Sequence, residues 1–323
     1  MGSSLNVAIA AEFDLCEKVA EFLEQSSLNI EKLSIVEIYP FSEEQGVRFN
    51  NKAVAQLTTD KVEWSDFNYL FFAGDFNHAS LLAQAAETGC VVIDMKGICS
   101  PLSDVPVVVP TVNNDQLVEL RQRNIVSLPD PQVSQLALAL RDITNESTIH
   151  QLMVSSLQPA SYVNAETVSS LVGQTAQLLN GIPLNDEQQR LAFDVFPAAP
   201  VNLTAQLQKV FSQLDNVVFH QIQVPVFYGL AQMVSVKSEY ELNLDNLLNQ
   251  WNSHDFIQYH SEKMITPVVN GEMESNEQIV QLHISNAESI DNGVQFWLVA
   301  DEQRFTLAFL AVKLVELIYE QGY

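Results

Sequence analysis

Through the first part of the chain, short continuous apolar runs alternate with longer stretches in which apolar residues recur every three or four positions. The runs Asn6–Ala10, Leu33–Tyr39, Tyr69–Ala73, Val91–Asp94, Val105–Val109 and Ile125–Leu128 have the length and composition of buried strands. Helical spacing puts Cys16, Val19, Ala20 and Leu23 on one face after the first strand, and predicts a second helix over Ser80–Thr88. A third helix, Gln132–Asp142, carries the stripe Val133, Leu136, Ala137 and Leu140, with Asp130 as its N-cap and Pro131 in its first turn. Such alternation gives a parallel sheet covered by helices.

Beyond Asp142 the segments lengthen and no longer alternate simply, which suggests a second domain of α+β type. Strands are predicted at Met153–Leu157, Val217–Val226, Ala231–Val236, Gln278–Ile284 and Val294–Val299. Helices are predicted at Ala165–Leu179, closed by Asn180-Gly181, and at Leu203–Leu214, Leu244–Trp251 and Arg304–Glu320. The last helix gathers Leu307, Leu310, Ala311, Leu314 and Ile318 on one face, enough to dock it on another layer. No repeat, low-complexity run or linker interrupts the chain.

Composition changes the picture mainly through charge. The 323 residues carry 40 Asp and Glu against 15 Lys and Arg, a net charge of −25. That balance speaks against nucleic acid and against anionic membrane surfaces as partners. Cys16, Cys90 and Cys99 are widely spaced and form no CxxC pattern, as expected of reduced thiols in a cytoplasmic protein. The short apolar run Val7–Ala11 has no basic segment before it, so neither a signal peptide nor a membrane span is expected.

The corner Asn124-Ile-Val-Ser-Leu-Pro-Asp-Pro-Gln-Val-Ser-Gln reads as strand, turn and helix start. An α/β enzyme often keeps a nucleophile at such a corner, because a helix N-terminus lowers a thiol's pKa and stabilises developing negative charge. This corner resembles the active-site segment of the aspartate-semialdehyde dehydrogenase family, Asn-Pro-Asn-Cys with a Gln further into the helix. Pro129, Asp130 and Gln135 match its proline, second Asn and Gln; Leu128 stands at the first Asn and Pro131 at the cysteine. Asp94 with Asp104-Val-Pro-Val-Val-Val-Pro-Thr-Val-Asn113, Gln223-Val-Pro-Val-Phe-Tyr-Gly229 and Phe296-Trp-Leu-Val-Ala-Asp301 are similar to further family segments. Gln177-Leu-Leu-Asn-Gly-Ile-Pro183 and Leu191-Ala-Phe-Asp194 look most like its Usg-type branch, which has lost the cysteine.

The resemblance runs nearly end to end. It implies a Rossmann-like, formerly NADP-binding domain over 1–131 and 302–323, and a dimerisation and formerly catalytic domain over 132–301. It also implies which positions should carry chemistry. The nucleophile position is Pro131, the histidine base position Leu230, and the anion-binding arginine positions Gln223 and Ser100. Only Gln158, in Ser155-Ser-Leu-Gln-Pro-Ala-Ser161, keeps the family residue. The cofactor glycines correspond to Ala11, Asp14 and Glu17, and a cofactor-contacting Asn to Glu302. Asp14-x-x-Glu17 has the form of a capping box that would occupy the helix start with the protein's own carboxylates.

The expectation is therefore a family member without the family reaction, binding no NADP, kept as a homodimer or as the partner of another protein. Two alternatives share the fold. In one, altered semialdehyde dehydrogenase chemistry in amino-acid biosynthesis uses Gln158; in the other, the old active cleft senses a metabolite without reacting. Other candidates are weaker: Cys99 as a displaced thiol has no evident base, His254, His260 and Glu262 match no usual metal spacing and read as a surface loop, and His220 reads as a strand histidine. No metal site is expected.

Overall fold

The computed structural model describes residues 4–42, 44–185, 188–277 and 280–323. The chain divides into two compact units, Met1–Ser134 with Thr306–Tyr323, and Gln135–Phe305.

The first unit holds β1 (Leu5–Ala10), α1 (Phe13–Glu24), β2 (Ile30–Glu37), the short pair β3 (Arg48–Phe49) and β4 (Lys52–Ala53), β5 (Ala55–Thr58), β6 (Tyr69–Phe72), α2 (Ala79–Glu87), β7 (Val91–Asp94) and β8 (Ile125–Ser127). α3 (Pro131–Glu146) then carries the chain into the second unit. Among the described residues, six strands form a sheet in the order β5-β2-β1-β6-β7-β8, every neighbour parallel. β6, β7 and β8 are buried throughout, which is why the sequence shows unbroken apolar runs there. α1 turns Leu15, Cys16, Val19, Ala20, Phe22 and Leu23 inward.

Val105–Val109, expected as a strand, forms only one bridge, Val107 to Ser127. Pro106 and Pro110 remove donors near both ends of the run; Ser127 N–H donates to Pro106 O and Val108 N–H to Ser127 O, while the Asn113 side chain takes Val109 N–H and donates to Val107 O. The sequence reading also lacked the β3–β4 hairpin, whose turn residues Asn50 and Asn51 both have positive φ. The last helix is π-helical over Glu302–Phe309 before it becomes α9 (Leu310–Glu320).

The second unit holds β9 (Ile149–Gln158), α4 (Ala160–Val163), α5 (Ala165–Leu179), β10 (Phe196–Pro197), α6 (Leu203–Val210), β11 (Val217–Gln223), β12 (Leu230–Ser238), α7 (Leu244–Ser253), β13 (Ile257–His260), α8 (Pro267–Glu277), β14 (Leu282–Ile290) and β15 (Gly293–Ala300). Its mixed sheet runs β10-β11-β9-β12-β15-β14-β13. Residues 278 and 279 of the expected strand Gln278–Ile284 lie outside the described residues.

One face of this sheet is packed. Val154, Val234, Val236, Phe296 and Leu298 are buried, and Trp251 meets Phe296 edge to face at 5.0 Å while its indole N–H donates to Ala139 O at 3.1 Å. The other face is covered on one side, where Trp297 donates to Ile265 O and Ser285 accepts from Ile265 N–H. Along β11-β9-β12 it is half open, with Met153 41% and Val218 39% exposed. Strand register lines up Val218, Met153 and Ser235 in one row and Ile222, Leu157 and Ala231 in another.

Trp251 is fully buried and both its ring and its N–H are engaged. Trp251→Ala should cost roughly 3–5 kcal/mol of unfolding free energy. Urea denaturation followed by circular dichroism measures it.

Candidate functional site

At the end of β8 the chain turns through Leu128, Pro129 and Asp130, all buried. The expected N-cap forms: Asp130 Oδ1 accepts from Gln132 N–H at 2.9 Å, and the Asp130 carbonyl accepts from Val133 and Ser134. Ser134 Oγ returns to Pro129 O at 3.0 Å. Pro131, buried at the helix start, offers neither a nucleophile nor an N–H.

The neighbouring β7 corner is organised by Asp94. Its carboxyl group accepts from Ser127 Oγ at 2.6 Å, Cys99 N–H at 2.7 Å and Ile98 N–H at 3.2 Å. Burial pushes the Asp94 pKa up, against the pull of those donors. Ser100, buried, only closes the turn through Ser100 N–H to Gly97 O at 3.0 Å. Burial, reinforced by Asp94, pushes the Cys99 thiol up to about 12 although Arg123 pulls the other way. Thiol, not thiolate, is its form at neutral pH.

At the start of α1 the expected capping box is absent. The helix begins at Phe13, with Glu12 as an N-cap that makes no side-chain bond, so Asp14 lies within the first turn rather than ahead of it. Asp14 and Glu17 are exposed; burial first, and then repulsion from Asp14, raises the Glu17 carboxyl, with Lys18 opposing. Ala11 is fully buried. Aromatic rings that the sequence reading passed over gather near the strand ends. Phe13 packs edge to face on Phe41 at 5.3 Å and Tyr39 on His78 at 5.0 Å, with His78 held in a capping box by Asp75. The carboxyl ends of strands are where open α/β sheets bind ligands. The signal was present as an aromatic residue shortly after each of the first three apolar runs, Phe13, Phe41 and Phe76.

In the second unit Gln158 ends β9 and stands in register with Gln223 at the end of β11. Gln223 Nε2 donates to the Gln158 carbonyl at 3.1 Å, and Gln158 Nε2 lies 3.5 Å from Gln221 Oε1. Leu230 opens β12, fully buried and paired with Ala300. Asn164 caps α5 through Thr167 N–H at 2.8 Å. Asp301 Oδ1 accepts from Gln303 and Arg304 N–H, both at 2.8 Å, and so caps the last helix.

Glu302 occupies the position to which the resemblance assigns a cofactor contact. It is fully buried, accepts from Ser161 Oγ and accepts from Gly229 N–H at 3.2 Å. Gly229 has a positive φ of 93°, and a Cβ there would meet Pro267 at 2.9 Å, so glycine alone suits this approach. Burial, and then the charge of Asp301, raises the Glu302 pKa to about 8, opposed by its hydrogen bonds. A neutral carboxyl group thus stands where the family resemblance places an asparagine.

The histidines also depart from expectation. His254 is buried and accepts from Phe256 N–H at 3.0 Å, and His260 lies on β13 with its Nε2 3.0 Å from His283 Nδ1, so neither sits on a surface loop. Burial, then His260, lowers His283 to about 4. No group of three or more metal-ligating side chains occurs among the described residues.

No protein-family model matches the chain. A USG-1 protein homolog of Haemophilus influenzae is 61% identical over 323 residues, all of both chains. The chain belongs to the USG-1 branch of the aspartate-semialdehyde dehydrogenase-like family. Aspartate semialdehyde dehydrogenase II of Vibrio cholerae, solved in complex with ASA, is 27% identical with a TM-score of 0.91 over all of both chains. A Candida albicans aspartate semialdehyde dehydrogenase solved with NADP shares the fold, with a TM-score of 0.74 over 98% of each chain at 10% identity. No helix among the described residues is long and apolar enough to cross a membrane.

Because Glu302 binds its proton more tightly folded than unfolded, its contribution to stability should be full below pH about 4.5 and decline as pH rises to about 8. Glu302→Gln cannot ionise, so relative to wild type it should gain stability between those limits. Urea midpoints of both proteins at the two ends of that window measure the difference, and an unchanged difference would contradict a neutral Glu302.

Proposed function

We propose that this protein is a member of the aspartate-semialdehyde dehydrogenase-like family that does not run the family's reaction and serves in the cytoplasm as a dimeric structural or regulatory protein. The observation that carries this reading is Pro131, buried at the start of α3 where the family resemblance expects the thiol. Without a nucleophile there is no acyl intermediate, and losing one member of a nucleophile–base pair already costs orders of magnitude in rate. Leu230 at the base position and Gln223 at an anion-binding position support the same conclusion. Gln158, the one residue retained among the chemical positions, has its side-chain amide 3.5 Å from Gln221 Oε1, and its backbone carbonyl accepts from Gln223.

The residues at the start of α1 do not fit NADP. Side chains replace the glycines that would let a pyrophosphate approach, and Glu12, Asp14 and Glu17 would meet its charge with their own.

Self-association is supported by the half-open face of the second sheet. Two chains of net charge −25 repel over most of their surface. The rows through Met153 and Leu157 carry no carboxylate, so a second copy can approach there without like charges meeting.

A ligand present at 100 times its dissociation constant adds about 2.7 kcal/mol of stability. NADP or NADPH at millimolar concentration should leave the thermal midpoint unmoved, and a saturable rise would overturn the cofactor part of the reading. Pro131→Cys should show no NADP-dependent oxidation of aspartate semialdehyde above background in a phosphate-containing assay. Turnover in that single variant would show that the rest of the machinery is intact.

A further inference from the structure

The row of the open sheet face between the two already described contains a titratable group. Across β11, β9 and β12, register aligns His220, Ser155 and Met233. His220 is exposed, and its Nδ1 lies 3.4 Å from Ser155 Oγ. Along its own strand it is flanked on the same face by Val218 and Ile222.

The environment of the imidazole is short of countercharge. On one side stands the Ser155 hydroxyl. On the other, β10 pairs with β11, and the stretch that follows it, Ala198, Ala199, Pro200 and Val201, has no titratable side chain. The one charged side chain on the same face of these three strands is Lys237, near the end of β12, and it shares the sign of an imidazolium. Asp215, the nearest carboxylate along the chain, precedes the strand.

We propose that His220 makes self-association through this sheet face sensitive to protons, the two copies joining when the imidazole is neutral and parting when it is charged. The proposal rests on the self-association reading above. A second copy seated on β11-β9-β12 would remove water from His220 and surround it with Val218, Ile222, Met153 and Met233, and with their counterparts in the other copy. A neutral imidazole tolerates that burial through the serine hydroxyl, whereas a charged one loses its hydration and gains no carboxylate in return. By the symmetry of a twofold interface the same cost is met twice.

The sign separates this effect from general charge. Acidification neutralises carboxylates and reduces repulsion between two acidic chains, so without a specific group, association would tighten as pH falls. The His220 gate predicts the reverse.

The test is sedimentation velocity on the full chain over a range of concentrations at about pH 8 and about pH 5.5, for wild type and His220→Gln. With two imidazoles per dimer, both of which must be neutral for the copies to join, the wild-type dimer dissociation constant should rise on the order of 100-fold between the two conditions. His220→Gln, which keeps a polar side chain but cannot be protonated, should dimerise at both pH values without that rise. A wild type that is monomeric at pH 8 overturns the self-association reading. A wild type equally dimeric at both pH values leaves that reading standing and overturns the gate. Equal weakening of the variant at low pH also overturns it, because the proton would then act elsewhere.

Discussion

Backbone N–H groups left over where strands turn into helices must find acceptors, and in this chain the protein's own carboxylates supply them at one corner after another. Asp94 holds the turn after β7, Asp130 caps α3, Asp301 caps the final helix and Glu302 takes the N–H of Gly229. An intramolecular hydrogen bond contributes about 0.5–1.5 kcal/mol net, and a buried donor left without one costs about 1–3 kcal/mol. These corners are the places where an α/β protein would otherwise offer donors to an anionic ligand. Their stability therefore comes from within the chain.

The same carboxylates explain how an acidic chain remains folded. Among the described residues most carboxylates are partly or fully exposed, and burial raises the pKa of Glu302 inside. What charge does restrict is contact with other molecules. A surface this negative selects either cationic partners or faces from which charge has been removed. The half-open sheet face of the second unit belongs to the latter kind, and its apolar residues are spread over adjacent strands rather than scattered singly.

Much of the framework was legible because periodicity reports burial directly. The runs at β1, β6 and β7 and the stripe of α3 appear within a residue or a few of their expected bounds. Errors occurred where local chemistry resembled a rule but competed with the chain's path. Val105–Val109 has the composition of a strand, yet its flanking prolines deprive it of a ladder. Asp14 and Glu17 have capping-box spacing, but α1 starts one residue before Asp14, which turns a cap into a first-turn position. Ser161 with Glu302, and Gln158 with Gln223, were beyond reach for another reason. Each pair is created by the meeting of segments far apart in sequence, and no local pattern records that meeting.

The three cysteines lead somewhere different. Cys16, Cys90 and Cys99 are all buried and unpaired, and burial raises each thiol to about 12. The folded surface therefore presents no native thiol that an alkylating reagent or a disulfide exchanger would attack at neutral pH. A single cysteine introduced at any exposed position would be the one reactive thiol of the molecule. The chain is in this respect a ready-made host for spectroscopic labels, with no need to remove native cysteines first.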